Sequence, residues 1–86
     1  MIRKLMLNDE TELENSYAFQ SGGNLWVYVY AQITFAALFA LLNDPSKTDV
    51  ITLNDGATVT EFNGYNDLFC IRKEDEGFIS AGLRKR

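Results

Sequence analysis

Residues 25 to 42 read LWVYVYAQITFAALFALL, a stretch of 18 positions without a charge in a chain of 86. A helix needs about 20 apolar residues to cross a bilayer, so the run stands near the lower limit. Its internal pattern divides it. From 25 to 32, Leu25, Val27, Val29 and Ala31 alternate with Trp26, Tyr28, Tyr30 and Gln32. That period of two, in β-branched and aromatic residues, predicts a strand. The remainder predicts a helix. Each piece is too short to span, so no membrane partner is expected and the run must supply a core.

The helix carries its own markers. Thr34 is placed to cap it, its hydroxyl taking an otherwise unpaired backbone N–H. Ile33 and Leu38 have the spacing of a hydrophobic staple. Phe35, Leu38, Phe39 and Leu42 follow the i, i+3, i+4, i+7 rule and predict one buried stripe. Pro45 stops the helix, because Asp44 before it is pushed out of helical geometry. The opposite side holds Ala36, Ala37, Ala40 and Leu41, where a surface helix carries charge. A helix without a polar back is covered by its own chain or by a partner. A partner is expected here.

Hairpins account for the rest. Residues 2 to 7 and 11 to 19 read as the first two strands. A three-residue loop Asn8-Asp9-Glu10 sets Leu5 opposite Leu13 and Lys4 opposite Glu14, with Glu10 at the position that wants a left-handed backbone. Gly22-Gly23-Asn24 is a turn signal before the third strand. A loop Asn54-Asp55-Gly56 sets Leu53 against Ala57, Thr52 against Thr58 and Ile51 against Val59. A loop Asp75-Glu76-Gly77 sets Ile71 against Ala81, Phe69 against Leu83 and Arg72 against Ser80. The order is hairpins with one helix inserted. It predicts a single α+β domain over residues 1–86, with a mostly antiparallel sheet.

Charge is unevenly spread along the chain. Between residues 5 and 71 there is one base, Lys47, against nine acids, a net of −8. Arg3 and Lys4 open the chain, and Arg72, Lys73, Arg84, Lys85 and Arg86 close it. A phosphate-binding domain carries the reverse balance, so direct nucleic-acid binding is not expected. An acidic stretch serves either as a solvated surface or as a face for a basic partner. The single cysteine, Cys70, cannot form an internal disulfide, and no secretory leader pattern opens the chain. A reducing compartment follows as the expectation, with Cys70 packed inertly in Leu68-Phe69-Cys70-Ile71.

Catalytic chemistry has few residues to work with. The chain contains no histidine. That removes the commonest general base and metal ligand, and with it every Ser–His or Cys–His pairing. No phosphate-cradling glycine motif is present. The carboxylates group as Asp9-Glu10-x-Glu12-x-Glu14 and as Glu74-Asp75-Glu76, both at hairpin ends. They lack the glycine and ligand spacing of a calcium loop. No catalytic residue, metal site or cofactor is expected. The aromatic row Trp26, Tyr28 and Tyr30 is either a stacking platform for bases or a sheet face packed by the helix or a second subunit. The acidic surroundings of the strand favour packing.

Several segments together resemble a group of small proteins from phages and prophages of Gram-positive gut bacteria, often encoded near tail genes. These are the opening Lys4-Leu5-Met6-Leu7-Asn8-Asp9-Glu10-Thr11-Glu12-Leu13, the Thr34-Phe35 helix start with its Leu41-Leu42-Asn43-Asp44 end, and Phe62-Asn63-Gly64-Tyr65. That group usually carries glycine where this chain has Glu10. The resemblance implies a phage setting, in the host cytoplasm or the virion, and a protein that works by binding. The expected function is a non-enzymatic one acting through protein contacts, as a homo-oligomer or a part of a tail-associated assembly. The alternative is an acidic inhibitor of a host defence system, of the anti-CRISPR kind. A third is a weak ligand-binding module using the aromatic row. Interface candidates are Trp26, Tyr28, Tyr30, Ala36, Ala37, Ala40 and Leu41.

Overall fold

The structure, a computed structural model, describes residues 3–30, 32–74 and 77–85. Ile2, Ala31, Asp75, Glu76 and Arg86, which figure in the strand, loop and charge readings above, lie outside the described residues. The elements are β1 (Lys4–Leu7), β2 (Thr11–Glu14), β3 (Ser16–Ser21), β4 (Asn24–Val29), α1 (Phe35–Leu42), β5 (Val50–Asn54), β6 (Val59–Asn63), β7 (Asp67–Lys73) and β8 (Ile79–Arg84). A single 3₁₀ turn, Pro45–Lys47, follows the helix. The fold is α+β, with every strand pairing antiparallel.

The strands form two four-stranded sheets, ordered β2-β1-β5-β6 and β3-β4-β8-β7. The chain passes directly between them twice. β2 runs into β3 through Asn15, whose φ of 51° bends the strand. Asn is among the few side chains that enter that left-handed region readily. β6 runs into β7 across Gly64, at φ 82°. Strands that switch sheets at such corners let two sheets enclose one core.

Alternation decides which side chains enter that core. Leu5, Leu7, Leu13, Ile51, Leu53 and Phe62 point inward from the first sheet. Ala18, Leu25, Val27, Val29, Ile79, Ala81 and Leu83 meet them from the second. The first hairpin pairs Leu5 with Leu13 and Lys4 with Glu14, as its three-residue loop predicts. The left-handed residues of that loop are Asn8 and Asp9, not Glu10. Asn8 is held there by donating to the Ser46 carbonyl and accepting from the Val50 N–H at 2.9 Å.

The helix begins as predicted, with the Thr34 hydroxyl accepting from the Ala37 N–H at 3.1 Å. Its buried stripe is different. Leu38 and Leu42 are fully buried, worth about 1.5–3 kcal/mol each, and Leu41 and Ile33 pack beside them. Phe35 and Phe39 are 39% and 41% exposed. The stripe is centred on the leucines, turned by about 90° from the phenylalanines. No helix among the described residues is long and apolar enough to cross a membrane.

The β5–β6 hairpin corrects its predicted register. Leu53 faces Thr60, Thr52 faces Glu61 and Ile51 faces Phe62. Asp55 sets the longer loop by accepting from the Ala57 and Thr58 N–H groups at 2.9 and 2.8 Å. The shift buries Phe62 and leaves Val59 65% exposed. In the last hairpin Ile71 faces Ala81 and Arg72 faces Ser80, as predicted. A bulge between Leu68 and Cys70 then sets Leu68, not Phe69, against Leu83.

Candidate interaction surface

The outward face of the second sheet is built from the alternate residues of β3, β4, β7 and β8. On β4 the buried Leu25, Val27 and Val29 leave Trp26 and Tyr28 facing out, with Tyr30 just beyond. The tight Gly22-Gly23 turn sets Tyr17 opposite Tyr28 and Phe19 opposite Trp26. Phe78, one residue before the buried Ile79, joins them, and the β7 bulge turns Phe69 onto the same side.

These rings form a run of five, from Tyr17 through Phe19, Tyr28 and Phe78 to Tyr30, and a separate pair. Phe19 stacks on Tyr28, with centroids 5.8 Å apart and planes within 5°. Tyr30 stacks on Phe78 at 4.9 Å, and Phe78 also reaches Tyr28 at 6.1 Å. Phe69 meets Trp26 edge-on at 5.4 Å. Gly82, paired with Trp26, makes room for that contact. A β-carbon there would lie 2.6 Å from Phe69 Cζ, 2.9 Å from Trp26 Cζ3 and 2.9 Å from Cys70 Sγ. Cys70 is therefore half-buried on the outer face rather than sealed in the core.

The charge around this face is mixed, where the strand's neighbours in sequence read as acidic. The two chain ends bring arginines to it. The Arg3 guanidinium sits 4.6 Å from the Tyr17 ring centre. Arg84 lies 5.1 Å from the Phe69 ring and donates to Asp67 at 2.8 Å. Arg72 donates to both oxygens of Glu74, which also accepts from the Ser80 hydroxyl at 3.0 Å. Those bonds, from Arg72 first and then Ser80, hold the Glu74 carboxyl below its ordinary range.

The outward face of the first sheet has the opposite character. Cross-strand rows run Glu12, Met6, Thr52, Glu61 and Glu14, Lys4, Asn54, Val59. Lys4 Nζ pairs with Glu12 at 3.1 Å. Glu14 and Glu61 are exposed. An open groove of about 600 Å³ crosses the Asn15 corner, with Glu12 and Glu14 on one side and Tyr30 on the other.

Of the interface candidates, Trp26, Tyr28 and Tyr30 lie together on the aromatic face. The helix does not pack on them, as its leucines enter the core instead. Ala36, Ala37 and Ala40 are exposed on the far side of the helix, while Leu41 is partly buried against the core. The helix borders the same sheet at β7, where Phe39 shares a groove with Phe69 and Cys70. Tyr17 and Phe19 were legible in principle, by carrying the Gly22-Gly23 turn into a strand register, whereas Phe78 depends on the long-range β4–β8 pairing. Phe69 was not, because nothing in the residues marks the bulge. Among the described residues no group of three or more cysteines and carboxylates is placed to hold a metal ion. Comparison of the chain with family models, curated proteins and solved structures finds no match in any of the three.

Proposed function

We propose that this chain is a non-enzymatic binding protein and that the outer face of its second sheet docks on another protein. The observation that carries the reading is the composition of that face. Seven of the eleven aromatic side chains of the molecule lie on it, with arginine as its basic residue. Tyr, Trp, Phe and Arg are the residues enriched in protein interfaces and their energetic centres, whereas Lys and Glu are depleted there. Phe19 is 36% and Tyr30 49% exposed, so the patch is open to a partner.

A nucleic-acid platform fits less well. Base stacking needs free ring faces and unneutralised cations along a backbone track. Here Phe19 covers Tyr28, Phe78 covers Tyr30, and Asp67 and Glu74 sit against Arg84 and Arg72. The net charge of −4 also opposes approach of phosphates.

The phage or prophage setting is supported by the resemblance of the opening strand, the helix and the Phe62–Tyr65 turn. The acidic outer face of the first sheet supports a second reading, an inhibitor that occupies a basic groove of a host defence protein. Co-purification with virions or with a host effector separates the two. For the docking face itself, a photo-cross-linking phenylalanine analogue replaces Tyr28, with a control at the exposed loop residue Ala57. Protein adducts are expected from position 28 and not from position 57. Adducts to nucleic acid alone, or none from position 28, overturn the reading.

A further inference from the structure

Resting on that reading, we infer that the partner of the aromatic face is the acidic face of a second copy of this chain, so that copies associate head to tail. The two outer faces are matched in size and opposed in character. Each belongs to a four-stranded antiparallel sheet, and the sheets share one core, so the faces look away from each other. One is aromatic and rimmed by Arg3, Arg72 and Arg84. The other places Met6 and Thr52 between Glu12 and Glu61, with Glu14 alongside. The aromatic centre meets Met6, and Arg3, with Arg72 and Arg84 already paired to Glu74 and Asp67, meets Glu14 and Glu61 on a face whose Lys4 is paired to Glu12. Complementary potentials of this kind select partner and orientation.

Face-to-face pairing through the aromatic patch alone brings like arginine rims together. It also uses little surface. Four strands about 4.8 Å apart and six residues at about 3.3 Å each give a face of roughly 400 Å². That is half of the ~800 Å² per partner in a standard interface. A head-to-tail contact has the same area per contact, but each internal copy makes two of them, one on each face. Such a contact does not close on itself as a two-fold dimer does. It propagates to a ring or an open array.

The test is light scattering and sedimentation of the purified chain over rising concentration. The expected result is a mass that grows past dimer and falls as salt rises from about 0.05 to about 0.5 M, where screening shortens to a few ångströms. Two kinds of variant then each remove one face. Phe19→Lys, or independently Tyr30→Lys, blocks the aromatic face. Glu14→Lys with Glu61→Lys reverses the acidic one. All of these positions are exposed, and far-ultraviolet dichroism and melting check that each variant folds. Each is expected to run as a monomer of 9.7 kDa. An equimolar mixture is expected to recover one good contact and stop at about twice that mass. A wild-type chain that stays monomeric at every concentration overturns self-association and leaves a foreign protein as the partner of position 28. An oligomer broken by the aromatic variants but untouched by the glutamate reversals overturns the head-to-tail contact in favour of a two-fold one.

Discussion

The two sheets teach different lessons about what folding requires. Their inner faces are alike: both alternate leucine, isoleucine, valine and alanine into one core. Their outer faces share almost nothing. On the first sheet the outward positions are mostly polar, Glu12, Glu14, Glu61, Lys4, Thr52, Asn54 and Asn63, with Met6 and the exposed Val59 among them. On the second they are aromatic rings and arginines. The first sheet demonstrates that this architecture forms without an aromatic exterior. The rings on the second give it the exposed apolar character on which the proposed docking rests.

The sharpest way to break the comparison is to change one outward position on each sheet. Gly82→Ala places a methyl group 2.6 Å from Phe69 Cζ and 2.9 Å from Trp26 Cζ3. The rings must move, and overpacking of this kind costs about 1–3 kcal/mol. Thr52→Val on the first sheet changes an outward side chain at near-constant volume and should stay within about 0.5 kcal/mol. Chemical denaturation measures both, and the Trp26 emission reports whether its ring has shifted. An unchanged midpoint and spectrum for Gly82→Ala would show that the aromatic set is loosely held rather than packed.

Much of this was legible in the residues, and the failures have physical causes. The Asn8-Asp9-Glu10 loop gave the right pairing because its length alone sets the register. The β5–β6 loop did not, because Asp55 captures two backbone N–H groups and extends the turn past Gly56. Phe35 and Phe39 obeyed helical spacing, but so did Leu38, Leu41 and Leu42. A helix of only 8 residues can turn either set inward. The arginine rim was hidden most deeply. Arg72 and Arg84 come to the face on the paired β7 and β8, whereas Arg3 comes to it from beside β3, where its carbonyl accepts from the Ser16 N–H. Charge counted along the chain therefore made the aromatic strand look acidic when its spatial neighbours also include three arginines.

Gly56 gives a smaller effect and probes the first sheet's own hairpin. Its φ of 91° is a conformation that a β-carbon disfavours. Gly56→Ala should cost about 1 kcal/mol, seen as a lowered melting midpoint. No comparable loss is expected in the aromatic emission of the second sheet. A raised midpoint sinks the turn geometry assigned to this loop.

The smallest expected effects separate the two sheets by what holds their hairpin carboxylates. Asp55, in the first sheet's loop, has its carboxyl lowered first by the Thr58 N–H and then by the Ala57 N–H. Glu74, in the second, is lowered first by hydrogen bonds from the Arg72 side chain and then by Ser80. Both are depressed carboxylates, so the sign is the same for each. The contribution to stability is fully present above the ordinary carboxylate range, near pH 4. It is lost as the pH falls through the lowered folded-state values, because the unfolded chain takes up its protons first. Salt distinguishes them. The Arg72–Glu74 pair is an exposed ion pair at 3.1 Å, which added salt screens. The Asp55 bonds run to neutral backbone groups and depend far less on ionic strength. Carboxyl-carbon NMR titrations at low salt and at about 1 M salt should show Glu74 returning towards its ordinary value while Asp55 stays low. Equal movement of both sinks the assignment of Glu74 to its arginine. It would also weaken the view that the second sheet's outer face is organised by its basic rim.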